Sequence, residues 1–382
     1  MAVDVVSHSL HLLETLKESF ENNKLSDVKE AVEDLLISRI NLGVAGDRGP
    51  QKAAFLNTLR GLGPEDEGAA QSPSPTPPDE LAVYPNPKHP DFHLWDLPPP
   101  HTASTFDLEG YMERVKFMRY NAVVMAFTQS LHPNSVAVFL EARSLQRNPV
   151  YFALLASGTD TEKVLEERRK ASLEVLRAHG VALPKVFLVR PNFLEKLDFP
   201  GLLEEMERDL PEIRAHALLL ALPTLSPALV GRKRDAFKAL VWAAASLSGG
   251  VSTIPVPLVA SMVDASVGVR ILTKARASLC LDDQSVERLA RQRGVEPARL
   301  KALRTCNLSA EVTKGEVKLR LAAVEKELAT NTTLLVEMAM PRHARSVGRS
   351  FSAMMQALNG AIDEMGTDAE KILAAAGVEE GK

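Results

Sequence analysis

RINLGVAGDRGPQKAAFLNTLRGL, residues 39–62, is the stretch whose reading decides the fold. Ile40, Leu42 and Val44 alternate with Arg39, Asn41 and Gly43, the period of two that places successive side chains on opposite faces of a strand. A glycine-bearing turn follows, and Phe55, Leu56 and Leu59 then fall at helical spacing. Strand, glycine loop and helix in that order open an α/β fold.

Upstream, Leu12, Leu16 and Phe20 repeat every four residues, and Val28, Val32, Leu35 and Leu36 continue the pattern, predicting two short helices over 8–37. Asn22, Asn23 and Ser26 supply turn and N-cap chemistry between them. Downstream, residues 63–90 are rich in Pro, Ser and acids and read as a loop. Strands are then expected at 92–97, 120–127, 149–156 and 185–189, separated by helical spacing over 105–119, 135–143 and 161–179. This alternation predicts a mostly parallel sheet covered on both faces. Beyond Asp198-Phe-Pro200 only helices are expected, among them 282–292, 296–305 and 313–328. The domains read as N-terminal helices at 1–38, an α/β domain at 39–205, and a helical domain at 206–382 that the first helices join.

Composition narrows the function classes. The 382 residues are 45% apolar and 25% charged, enough for a sizeable core, and the net charge of −4 gives no general basic excess for nucleic acid. Arg232-Lys233-Arg234 is too short a basic run to change that expectation. Two cysteines make no disulfide framework and fit a reducing cytosol. The opening MAVDVVSHSLHLLETL lacks a basic segment before an apolar core, so no secretory signal is expected; Ala2 precludes myristoylation. The uncharged stretch 239–263 is long enough to span a bilayer. Gly249-Gly250, Pro255 and Pro257 divide it, and a buried helical hairpin is the expectation. His89 and His93 have metal-ligand spacing only on a helix, and Pro90 argues against one there.

The turn after the first strand reads Gly46-Asp-Arg-Gly49-Pro50-Gln51-Lys52-Ala53. A phosphate-binding P-loop has the form G-x-x-x-x-G-K-[ST], with glycines admitting backbone N–H groups, the lysine reaching the β/γ oxygens and the hydroxyl holding Mg²⁺. Gly46 and Lys52 are in register. Gln51 replaces the second glycine, Ala53 offers no oxygen to a metal, and Pro50 removes an N–H from the cradle.

Several motifs together resemble the immunity-related, or interferon-inducible, GTPases: residues 42–62 and YPNPKHPDFHLWDLP (84–98), then VFLV, LDFPGL and RDLPEIRAH from 186 to 216. The likeness extends from the first helices to about residue 375, in the branch that keeps the P-loop lysine. It implies a Ras-like P-loop G domain embedded in an all-α helical domain, nucleotide-controlled dimers through the G domains, and work on vacuolar or autophagic membranes. Carried over residue by residue, most of the chemistry is missing. Pro77 and Pro78 stand where paired threonines of the first switch loop approach Mg²⁺ and the γ-phosphate. Asp96 can still reach a metal through water, but Pro99 replaces the glycine whose N–H meets the γ-phosphate. Asp160 remains for the guanine edge, with Gly158 where the ring-packing lysine belongs and Arg190 where a small hydroxyl belongs. The relic site is thus Gly46, Gly49, Lys52, Asp96 and Asp160.

The expectation is a cytoplasmic quasi-GTPase with no required cofactor and no catalytic residue, a regulator or adaptor with protein partners that include other GTPases of the family. The alternative is a slow GTPase using GTP or GDP with Mg²⁺. Arg342, His343, Arg345 and Arg349 open a helix whose stripe runs through Phe351 and Met355. Basic residues oppose the macrodipole at that end, which points to lipid headgroups; an ordinary core-packed helix is the competing reading.

Overall fold

In the computed structural model the described residues are 7–77, 80–100, 106–145, 148–251, 257–330 and 348–378. In chain order the elements are α1 (Ser7–Glu21), α2 (Leu25–Ile37), β1 (Ile40–Ala45), α3 (Pro50–Leu59), β2 (Ala82–Pro85), β3 (Phe92–Leu97), α4 (Leu108–Arg114), β4 (Ala122–Phe127) and α5 (Pro133–Ser144). There follow β5 (Val150–Leu155), α6 (Glu162–Ala178), β6 (Phe187–Val189), α7 (Phe199–Asp209) and α8 (Glu212–Ala221). The remainder is helical: α9 (Pro227–Val251), α10 (Pro257–Ser278), α11 (Asp283–Arg293), α12 (Pro297–Lys301), α13 (Asn307–Ala310), α14 (Lys314–Thr330) and α15 (Gly348–Ala375).

The chain divides into two compact units. One comprises residues 37–223 and holds the sheet; the other comprises residues up to 36 and from 224 onward. The division at Pro223–Thr224 lies beyond the expected boundary at 205 because α7 and α8 pack with the sheet. Phe199 of α7 meets Phe55 of α3 edge-on at 6.2 Å between ring centroids. Arg214 of α8 donates to the Arg39 carbonyl ahead of β1 at 2.5 Å.

The sheet order is β2-β3-β1-β4-β5-β6, with every pair parallel except β2–β3. β1 therefore lies between strands that lead the chain in opposite directions, the switch point where α/β folds bind ligands beyond the strand C-termini. β4 and β5 are buried at every position, as strands covered on both faces must be. β2 falls inside the stretch read as a loop: it has four residues, ends in Pro85 and is half exposed along a sheet edge. The other strands lie where the apolar runs predict: β3 spans the expected 92–97, and β4, β5 and β6 are each two residues shorter than expected.

In the second unit α1, α9, α10, α14 and α15 form the core, with Phe20 against Trp242 at 5.9 Å between centroids. α9 continues through Gly249-Gly250, so the glycines do not break it, and no helix among the described residues is long and apolar enough to cross a membrane. Phe351 is only 4% exposed and Met354, Leu358, Ile362 and Met365 are buried, so this stripe faces the core rather than a lipid surface. Met355 is half-buried. Arg342, His343 and Arg345 lie outside the described residues, and of Arg349 only the helical backbone is described.

Candidate functional site

The end of β1 turns at Gly46, whose φ is +143°; a Cβ there would lie 1.9 Å from the Ala126 carbonyl oxygen. Only glycine fits that approach. Gly49 has extended backbone and caps α3 without a side chain, and Pro50 occupies the first turn. Its missing N–H costs the helix nothing but removes one donor from the end that would face phosphate.

Lys52 is 3% exposed and does not reach outward. Its ammonium donates to the carbonyls of Gly46 and Leu97, both at 2.8 Å, and lies 2.5 Å from Asp96 Oδ1. Burial pushes its pKa down, while Asp96 opposes that shift. The lysine that would sense phosphate is therefore spent on the ends of β1 and β3.

The second cation of this cluster, Arg48, was not among the residues singled out from the sequence. Its Nε donates to Asp96 Oδ2 at 3.1 Å. Its Nη1 donates to the Thr76 carbonyl at 2.6 Å and also to the Pro77 carbonyl, and its Nη2 donates to the Glu80 carbonyl. One guanidinium thus joins the loop after β1, the β3 carboxylate and the loop at 76–80. The buried Asp96 carboxylate thus has its charge matched by two side-chain cations. A cation inside the motif GDRG was the available signal; its partners, distant in sequence, were not.

The same loop is held at a second place by α3 and the residue after it. Asn57 exchanges two hydrogen bonds with Ala70, and Arg60 donates to the Gly68 carbonyl at 3.0 Å. Arg60 stacks over the Tyr84 ring at 4.9 Å, and burial lowers its pKa to about 10. Pro77 contributes a carbonyl and no side-chain oxygen; Pro78 lies outside the described residues. Pro99 is buried in a segment tied down by Tyr111, which donates to the Pro98 carbonyl at 2.9 Å, and by Asn134, which donates to Pro100.

On the base side, a cavity of about 150 Å³ is lined by residues that include Pro50, Gln51, Gly158, Arg190 and Phe193. Asp160 is not on that lining. Its Oδ2 accepts the Ser157 N–H at 2.7 Å and its Oδ1 pairs with Arg168 at 3.1 Å. Burial alone would raise its pKa, but the Ser157 and Arg168 bonds outweigh burial and hold the carboxyl below its ordinary value. The structure thus brings Gly46, Lys52 and Asp96 together and leaves Asp160 serving its own loop.

Ala53 gives no metal ligand, Asp96 pairs with Lys52 and Arg48, and the carbonyls of Thr76, Pro77 and Glu80 accept from the Arg48 guanidinium.

A P-loop GTPase-type α/β domain is the class that this fold defines. The family model for interferon-inducible GTPase (IIGP) matches residues 9–375, and the chain belongs to that family. Interferon-inducible GTPase 5 of Bos taurus is 31% identical over 94% of this chain and 81% of its own length. Interferon-inducible GTPase 1 of Mus musculus is 28% identical over 73% and 70%, and immunity-related GTPase family Q protein of Mus musculus is 29% identical over 94% and 66%. Among solved structures, Era of Aquifex aeolicus aligns with 55% of this chain and 67% of its own at 13% identity and a TM-score of 0.32.

Proposed function

We infer that this family member is a GTPase-fold regulator or adaptor whose phosphate site is closed by its own side chains. Asp96 between Lys52 and Arg48, with Arg48 holding the 76–80 loop, is the observation that carries the reading. A loop tied to the protein's own cation has no γ-phosphate to sense, so the surface around it stays in one state. Such a surface suits protein partners, other GTPases of the family among them, in cell-autonomous defence and autophagy-linked work at intracellular membranes. A cytoplasmic protein with peripheral membrane contact fits that role. The second reading is a slow GTPase; the retained Gly46 turn and Lys52 favour it.

Single-turnover hydrolysis of GTP with Mg²⁺ separates the two. The regulator reading predicts phosphate release at the solvent rate, whatever the protein concentration. Mg²⁺-dependent release that scales with protein supports the slow GTPase instead.

A further inference from the structure

Gln71-Ser72-Pro73-Ser74-Pro75-Thr76-Pro77 sets three hydroxyl residues each directly before a proline. The chain has only one other such pair, Ser226-Pro227, and there the hydroxyl is in use: Ser226 Oγ accepts the Leu229 N–H at 3.3 Å at the start of α9. The 71–77 segment forms neither helix nor strand, and Ser72, Pro73, Pro75 and Pro77 are exposed. Proline fixes φ near ~−65° and has no N–H, so alternate prolines hold such a segment extended, with its backbone open to a binding partner.

The three hydroxyls differ in their surroundings. Ser74 Oγ accepts the Thr76 N–H at 3.3 Å, and the same side chain bonds to that of Tyr84. Thr76 is half-buried, and its hydroxyl has no hydrogen-bond partner among the described residues. Its carbonyl accepts from Arg48 Nη1 at 2.6 Å, and those of Pro77 and Glu80 accept from the same guanidinium. Thr76 alone of the three therefore has its backbone on the cation that also pairs with Asp96.

We propose that Thr76 is a phosphorylation site for a proline-directed protein kinase, and that the phosphate it receives captures Arg48. In the transfer the Thr76 oxygen bonds to the γ-phosphorus of ATP, and the bond from that phosphorus to the β–γ bridging oxygen breaks to leave ADP. The hydroxyl proton passes to the kinase's catalytic carboxylate. The product carries a charge of about −1.5 to −2 and strong acceptor oxygens, beside a guanidinium otherwise shared among neutral carbonyls. Charge-assisted bonds are about twice as strong as neutral ones, so the phosphate draws the guanidinium from the Pro77 and Glu80 carbonyls and frees the loop there. A surface with no nucleotide to switch it gains a covalent switch. This goes beyond the closed phosphate site and does not depend on it, since Asp96 pairs with Lys52 whether or not Thr76 is modified.

The full chain is incubated with an active mitogen-activated protein kinase and Mg-ATP, and the modified residues are mapped by fragmentation mass spectrometry in wild type and Pro77→Ala. The substitution keeps the Thr76 hydroxyl and the carbonyl that Arg48 holds, and removes only the proline that directs the kinase. The expected result is phosphate on Thr76, with modification there at least about tenfold slower in Pro77→Ala, a loss of roughly 1.4 kcal/mol or more in kinase recognition. In the phosphorylated wild type, exchange of the Glu80 amide, which donates to the Pro77 carbonyl at 3.1 Å, should quicken. Phosphorus NMR should place the second phosphate pKa about one pH unit lower in wild type than in phosphorylated Arg48→Gln, the effect of a cation in contact. No incorporation, phosphate on Ser72 or Ser74 without Thr76, equal modification of Pro77→Ala, unchanged Glu80 exchange, or the same phosphate pKa with and without Arg48 would each overturn the proposal. Should Arg48→Gln fail to fold, the mapping and the exchange in wild type still decide it.

Discussion

Arg48 Nε donates to Asp96 Oδ2 at 3.1 Å, so a guanidinium from the loop after β1 faces the carboxylate at the end of β3. In a GTPase cycle that carboxylate belongs to the metal's environment. Here its two oxygens meet two side-chain cations, and one of those cations also grips the loop that a γ-phosphate would order. The cost of burying Asp96 and Lys52 is offset only while the cluster is complete.

Asp96→Asn should therefore destabilise the protein by about 3–5 kcal/mol, because Lys52 and Arg48 lose their shared counter-charge in a buried place. Urea denaturation checks this; a loss below about 1 kcal/mol would mean that the cluster contributes little.

Arg48→Ala should release the 76–80 loop while leaving the sheet intact. Amide exchange at Glu80, whose neighbouring carbonyls lose their donor, should quicken. The stability lost should be about 1.5–3 kcal/mol, the range for hydrogen bonds to a charged group. Unchanged exchange there would show that the prolines alone hold the loop.

The two glycines of the turn should part company. Gly46→Ala is incompatible with the 1.9 Å approach to Ala126 and should prevent correct folding. Gly49→Ala meets nothing closer than 3.9 Å and should cost no more than about 1 kcal/mol, the value of a weaker N-cap. Thermal melts of the two variants give the comparison.

Much of this was legible in the sequence. β1 and β3–β6 announce themselves as alternating or continuous apolar runs, and the helices by their three-and-four spacing. β2 does not, because Ala82–Pro85 is short, ends in proline and is paired on one side only. Gly46 and Lys52 were found because a motif aligns them; Arg48 was missed because its meaning depends on carbonyls at 76, 77 and 80. Asp160 reads as a ligand acceptor in sequence, yet Ser157 and Arg168 claim it within its own loop. The stripe through Phe351 was visible, but amphipathic spacing alone does not say whether the apolar side faces core or lipid.

The helical unit carries a pH-dependent element. Lys233 is fully buried and donates to the Ser278 carbonyl at 2.6 Å and to Thr224 Oγ1 at 3.1 Å; burial lowers its pKa to about 8 from 10.5, with Cys280 opposing. Between those values the unfolded chain binds the additional proton, so this residue makes stability rise with pH across the window. The gain should be of the order of 3 kcal/mol. Lys233→Met should lack that rise, which guanidinium melts of both proteins from pH 7 to 10.5 would reveal; parallel curves would contradict the assignment.

Titration calorimetry with GTP, GDP and a non-hydrolysable GTP analogue, each with Mg²⁺ and with chelator, tests the closed phosphate site most directly. The account predicts no binding heat with any of them up to millimolar nucleotide. Micromolar binding strengthened by Mg²⁺ would contradict it, since Asp96 would then have to leave Arg48 and take up a metal's water instead.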